Sequence, residues 1–169
     1  MRTEIHDRLL PGDTEVASLF SPSTSEFVPL EGLGRDDPAY RDDPSQRADT
    51  LLDHSFVLAL GDHDEIIGAM AYVSREECAY VAAVAVVPTA DRDEAIGAMF
   101  GRLEVMLVSE AGRSTLCIGI WSTHLSMRKL MADLGFSLFS FDLDRVNEGV
   151  DAMIFHRRKA APQGALTTH

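Results

Sequence analysis

Val81-Ala82-Ala83-Val84-Ala85-Val86-Val87-Pro88 is an unbroken apolar run closed by proline, and Thr89-Ala90-Asp91-Arg92-Asp93-Glu94-Ala95-Ile96-Gly97-Ala98-Met99 follows directly. The run, which begins at Ala79, has no polar alternation, as expected of a central strand covered on both faces. Beyond it, Ile96, Met99, Phe100, Leu103, Met106 and Leu107 recur at three- and four-residue spacing, the stripe of a helix lying on a core. Asp91 with Glu94 three residues on resembles a capping box with aspartate in the capping role, and Ala111-Gly112 supplies the stop. A helix start of this kind carries unpaired N–H groups and partial positive charge, which suit a phosphate. Small residues at Ala95, Gly97 and Ala98 let a ligand approach the backbone closely.

Working outward, Phe56–Leu60 and Ile66–Val73 are strand-length apolar runs around the polar turn cluster Gly61-Asp62-His63-Asp64-Glu65, a β-hairpin pattern. Downstream come a buried strand over Leu116–Trp121 and a helix over His124–Leu134. In that helix Met127, Leu130, Met131 and Leu134 face inward, Leu125 is a further inward candidate, and Gly135 closes it. Two last strands, Ser137–Leu143 and Ala152–Arg158, flank the polar stretch Asp144–Gly149. Thr3–Leu10 reads as an edge strand ending at Pro11-Gly12. A short helix capped by Asp13 or Thr14 follows, with Val16, Leu19 and Phe20 inward. The fold class expected is α/β: a mixed, mostly antiparallel central sheet of about six or seven strands flanked by helices. One domain spans 1–159. Within it, 21–50 is a long acidic surface loop or lid, and 160–169 is a disordered tail. No internal repeat is visible.

The chain has 169 residues, 46% of them hydrophobic, enough for one domain with a sizeable core. Its 15 Lys+Arg against 27 Asp+Glu give a net charge of −12, which argues against nucleic acid or an anionic membrane as the main partner. A cationic small substrate is compatible with it. Cys78 and Cys117 have no CxxC spacing, so neither a disulfide framework nor a zinc site is suggested, and no metal is expected. No run approaches the ~18 apolar residues of a membrane span, and Met1–Asp7 lacks a signal-peptide core. The default expectation is a cytoplasmic monomer or homodimer.

The strand–loop–helix unit resembles the cofactor motif of the GNAT superfamily of N-acetyltransferases, Q/R-x-x-G-x-G/A, read here as Arg92-x-x-Ala95-x-Gly97 with alanine for the first glycine. The family's later N-x-x-(A/S)…-G-F segment is matched by His124–Met131 followed by Leu134-Gly135-Phe136, with histidine at the asparagine position. The element order matches over the whole domain. The resemblance implies a co-substrate, acetyl-CoA or another acyl-CoA, lying in a V-shaped split between the strand ending at Val87 and the strand ending near Trp121. Pantetheine is then expected on the backbone of Ala85, Val86 and Val87. The pyrophosphate is expected on the N–H groups of Arg92, Asp93, Glu94, Ala95, Ile96, Gly97 and Ala98, and the ribose phosphate near Arg128 or Lys129. An amine, from a small molecule or a peptide, attacks the thioester directly, and backbone N–H from the first strand of the split stabilises the oxyanion.

Two departures stand out. The position of the family's tyrosine acid holds Met131, and the strand that carries a carboxylate base in some members reads Tyr80-Val81-Ala82. The candidates for proton transfer are Tyr80, Thr123 and His124, with Ser122 beside them; water relaying to solvent would also serve. The phosphate loop is unusually acidic. A carboxylate ~4 Å from a phosphate charge costs about 1 kcal/mol in water and about 4 at an effective dielectric near 20, whereas the helix terminus returns only roughly 0.3–1 kcal/mol. Binding therefore requires Asp91, Asp93 and Glu94 to point away from the ligand. His63 reads as a solvated hairpin tip, and Met99, Met106, Met127 and Met131 as core. Glu31, Asp36 and Asp37 either lie on solvated surface or attract an amine. Trp121 is core or a wall of the acceptor pocket. The alternative reading is a catalytically silent fold-mate that binds CoA or another ligand for regulation or assembly.

Overall fold

The computed structural model describes residues 1–6, 14–20, 54–75, 78–111, 115–122, 125–147 and 150–158. The expectations for the loop 21–50, for the turn at Pro11-Gly12 and for the tail 160–169 lie outside these residues. The described elements, in chain order, are β1 (Arg2–His6), α1 (Thr14–Leu19), β2 (Ser55–Leu60), β3 (Ile66–Ser74) and β4 (Ala79–Val86). They continue with α2 (Arg92–Ala111), β5 (Thr115–Trp121), α3 (Leu125–Asp133), β6 (Ser137–Asn147) and β7 (Val150–Arg158).

The strands form one seven-stranded sheet ordered β1-β2-β3-β4-β5-β7-β6. Every pairing is antiparallel except β4 with β5. That parallel step needs a crossover, and α2 supplies it. Its apolar stripe is buried as expected: Ile96, Met99, Phe100 and Leu103 are fully covered and Leu107 nearly so. With Met127, Leu130 and Met131 of α3, they pack on one face of the sheet. Val16, Leu19 and Phe20, on and just after α1, cover Phe56, Leu58, Ala69 and Ala71 on the other. Gly135, at φ +81°, closes α3. Its N–H donates to Ala132 O at 3.0 Å and that of Phe136 to Met131 O at 2.9 Å, the reciprocal pair of a Schellman cap.

Two expectations are corrected. Leu125 is not inward but 68% exposed, at the start of α3. The stretch Asp144–Gly149 is not a wide polar loop, because β6 runs to Asn147 and β7 begins at Val150. Polar residues are tolerated there because β6 is an edge strand that need not be apolar on both faces. As expected of a central strand, β4 is buried on both faces, and its side chains alternate between the two cores around one surplus residue. Val81, Val84 and Val86 join the α2 face, while Ala82, Ala83 and Ala85 join the α1 face. The register steps from Ala71↔Ala83 to Tyr72↔Val81, so Ala82 is the extra residue of a β-bulge.

Candidate functional site

The bulge has a direct consequence for β5. β4 and β5 pair only at Ala79↔Leu116, Tyr80↔Cys117 and Val81↔Ile118. From Ala82 onward β4 stays with β3 as far as Gly68↔Val86, while β5 stays with β7 as far as Trp121↔Ala152. The two parallel strands therefore separate at the bulge, where extra twist bends β4 away. A V-shaped split opens between two strands that both continue.

The main chain along this split is partly spoken for. Val87 donates its N–H to Ile67 O at 2.9 Å, and its carbonyl accepts from Ala90 N at 3.1 Å. Strand alternation then turns Ala85 toward β3 as well, and directs the polar groups of Val84 and Val86 into the split. Of the expected trio Ala85, Val86 and Val87, the backbone of Val86 faces the opening. Val84, one step of alternation earlier, faces it too.

The loop from Val87 leads to α2, whose first turn is closed from within. Asp91 Oδ1 accepts the Glu94 N–H at 3.0 Å, and Asp91 O accepts the Ala95 N–H at 3.0 Å. Arg92 pairs with Asp93 (Nε–Oδ1 2.8 Å) and reaches Ser126 Oγ on α3 at 3.5 Å, which brings the two helix starts together. Ala95 and Ile96 turn their side chains into the core. Gly97 and Ala98 are half-buried. A methyl group on Gly97 would meet only Leu134 Cδ2, at 3.5 Å, an ordinary contact, so the protein's own packing does not demand glycine there. Arg128 donates from Nη1 to Ser122 O at 3.0 Å, at the end of β5, and Lys129 pairs with Asp133 at 2.5 Å. That pairing raises the Lys129 pKa, first through the hydrogen bond to Asp133 and then through its charge.

Beside Asp91 lies a pocket of about 260 Å³, lined by the β2–β3 turn and the β4–α2 loop. Asp62, Glu65, Asp91 and Glu94 are among its lining residues, and the Met1 ammonium stands 3.9 Å from Asp62. No residue of β5 or α3 lines it, so it is separate from the split. Among the described residues no cluster of three or more His, Cys, Asp or Glu is placed to hold a metal ion. His63 is exposed at the hairpin tip, its N–H donated to Glu65 Oε2 at 2.9 Å.

The proton-transfer candidates divide. Tyr80 is 3% exposed on the α1 face of β4, with the Arg75 guanidinium 4.8 Å from its ring centroid. Ser122 follows β5 directly and holds Arg128. Thr123 and His124 lie outside the described residues. Met131, where the family resemblance leads one to look for a tyrosine, is fully buried in the core.

An open groove between diverging parallel strands, flanked by the start of a crossover helix, defines the α/β fold of the GNAT N-acetyltransferases, and this chain has that fold. An aminoglycoside 6'-N-acetyltransferase complexed with coenzyme A superposes with a TM-score of 0.71 at 13% identity, covering 96% of this chain and 100% of that one. The ribosomal-protein-S18-alanine N-acetyltransferase from Escherichia coli gives 0.65 at 14% identity, covering 97% and 99%. An N-acetyltransferase from Staphylococcus aureus gives 0.66 at 16%, covering 94% and 98%. No family model matches the sequence, and no curated protein matches it either. Among the described residues no helix is long and apolar enough to cross a membrane.

The two halves of an acyl-CoA fit this site unequally. The split exposes strand backbone at Val84 and Val86 to an extended amide-bearing arm, and glycine at 97 leaves the helix start bare. Against this, the Glu94 N–H already has an anionic acceptor in Asp91, and the Arg92 guanidinium is already paired with Asp93.

Proposed function

We propose that this chain is an acyl-CoA-dependent N-acyltransferase, moving acetyl from acetyl-CoA to an amine by direct attack in a ternary complex. The single observation that carries the reading is the parting of β4 from β5 immediately after Val81↔Ile118, at the Ala82 bulge. A groove of this shape binds an extended pantetheine arm by its backbone and holds the thioester in line with an incoming nucleophile, and such positioning supplies a large part of the rate gain of a reaction of this kind. The bulged strand offers main-chain N–H for the oxyanion. The acceptor is a small-molecule or peptide amine, the two kinds named for the aminoglycoside and S18-alanine enzymes. The diphosphate lies along the start of α2, from Arg92 to Ala98, and Arg128 approaches the ribose phosphate.

A second reading is favoured by one observation, the self-capping of α2 by Asp91. In it the chain is a silent fold-mate that binds a ligand without turnover. Calorimetry with acetyl-CoA followed by thiol release over a panel of amines separates the two. Binding with release on at least one amine supports the transferase; tight binding with no release on any amine supports the silent protein. No binding at all removes the transferase and leaves the silent protein with a ligand other than CoA.

A further inference from the structure

Tyr80 and Gly119 form a lock across the two strands at the point where they part. Tyr80 stands opposite Cys117 in the register, and Gly119 is the first residue of β5 beyond the last pair, Val81↔Ile118. The phenol leans forward along the strand direction until its oxygen lies over Gly119. A methyl group on Gly119 would sit 2.7 Å from Tyr80 Oη, inside contact distance, and 3.9 Å from Cζ, an ordinary separation. The hydroxyl oxygen is the one atom inside contact distance of such a methyl group, with Ile154 Cδ1 next at 3.4 Å, so a side chain at 119 would displace the hydroxyl first. Both sides of the ring are fixed as well: the side chain is 3% exposed in the α1-side core, and Arg75 stacks on it at 4.8 Å. The result is a hydroxyl held at the apex of the split by packing and by the absence of one carbon.

We propose that Tyr80 relays the proton of the acyl transfer and that Gly119 is the positioning residue that seats its hydroxyl. The inference rests on the transferase reading and deepens it. A hydroxyl donates and accepts at once, so it can serve both ends of the reaction without ionising beforehand. The amine nitrogen attacks the thioester carbonyl carbon. An N–C bond forms, the C–S bond breaks, the amine's proton passes to Tyr80 Oη, and the hydroxyl's own proton passes to the departing sulfur. Amide, free thiol and an unchanged phenol remain, with no oxidant or reductant consumed. This assigns the work that Met131 cannot do to the opposite side of the groove.

The test is a double-mutant cycle of Tyr80→Phe, Gly119→Ala and the pair, read by melting temperature and by acetyl-CoA-dependent thiol release with small primary amines and a peptide bearing a free N-terminus. Gly119→Ala should lower the melting temperature, and Tyr80→Phe in the same chain should restore it, because the 2.7 Å clash disappears with the oxygen. Activity should not follow stability. Tyr80→Phe should lose about 10²–10⁴-fold in kcat with the KM for acetyl-CoA within about twofold, Gly119→Ala should also be slow, and the restabilised pair should stay slow. Wild-type kcat in Tyr80→Phe, or recovery of rate together with stability in the pair, overturns the proposal while leaving the transferase reading intact. A wild-type chain that releases no thiol with any amine overturns both, and is told apart by that result alone.

Discussion

Asp91 Oδ1 accepts the main-chain N–H of Glu94 at 3.0 Å, so the carboxylate of this chain stands where a helix start would otherwise offer itself to a ligand anion. Asp91→Ala should destabilise by about 0.5–2 kcal/mol, the usual loss for an N-cap. Asp91→Asn keeps an acceptor oxygen and removes the charge, so its melting temperature should change little while its affinity for CoA rises several-fold. Thermal melts paired with calorimetry measure both. Unchanged CoA affinity in Asp91→Asn would mean that the diphosphate does not approach this turn.

The two glycines of α2 make an internal control. A methyl group on Gly101 would meet nothing within 4 Å, and one on Gly97 only Leu134 at 3.5 Å. Either change to alanine should stabilise by roughly 0.5–1 kcal/mol, because glycine in a helix carries excess unfolded-state freedom. Only Gly97→Ala should weaken CoA binding, since only Gly97 lies in the helix start. Equal binding by both variants would move the diphosphate elsewhere.

Arg157 ties three elements together from β7. Its Nη1 donates to Leu134 O at 2.6 Å, its guanidinium lies 4.8 Å from the Phe136 ring centroid, and its Nε is 2.9 Å from Glu104 Oε1. The Nε–H is not aimed at the carboxylate, so this last contact is an ion pair rather than a directed hydrogen bond. With exposures of only 17% and 19%, the pair is partly shielded from water. Arg157→Met should cost about 1–3 kcal/mol, since it strands Glu104 and a carbonyl. Arg157→Met with Glu104→Gln should cost less than the two single changes added. Urea unfolding of all four proteins gives the coupling, and strict additivity would reduce Arg157 to a packing role.

Acid should act on the β2–β3 turn. The Glu65 carboxyl is held below its ordinary pKa by its own main-chain N–H, then by that of His63. A depressed folded-state pKa contributes stability above the unfolded carboxylate range, and that contribution is lost as pH falls through the folded value. Glu65→Gln should therefore be less stable than wild type near neutrality, with the gap closing as pH falls through the folded value, so that the variant's profile is flatter on the acid side. Melting temperatures of both proteins from pH 7 down to pH 3 check this; parallel curves would contradict it.

Much of the architecture was legible because apolar spacing is a strong signal. The stripe from Ile96 to Leu107 fixed α2, Gly135 its neighbour's end, and the hairpin around residues 61–65 the order of β2 and β3. What escaped notice were single-residue effects. The Ala82-Ala83 doublet hid a bulge behind an apolar run, because alanine carries no polarity to reveal which face it takes. Leu125 looked like core by chemistry alone, yet it precedes the first turn's inward positions. Gly119 carried no signal at all, since its meaning depends on a phenol from another strand.

One surplus alanine has a wider reach than its size suggests. Excising Ala82 would let β4 and β5 zip further together and would send Tyr80 to the opposite side of the sheet, because a one-residue slip inverts every side chain upstream of it. The opening and the tyrosine beneath it therefore stand or fall together on that one residue.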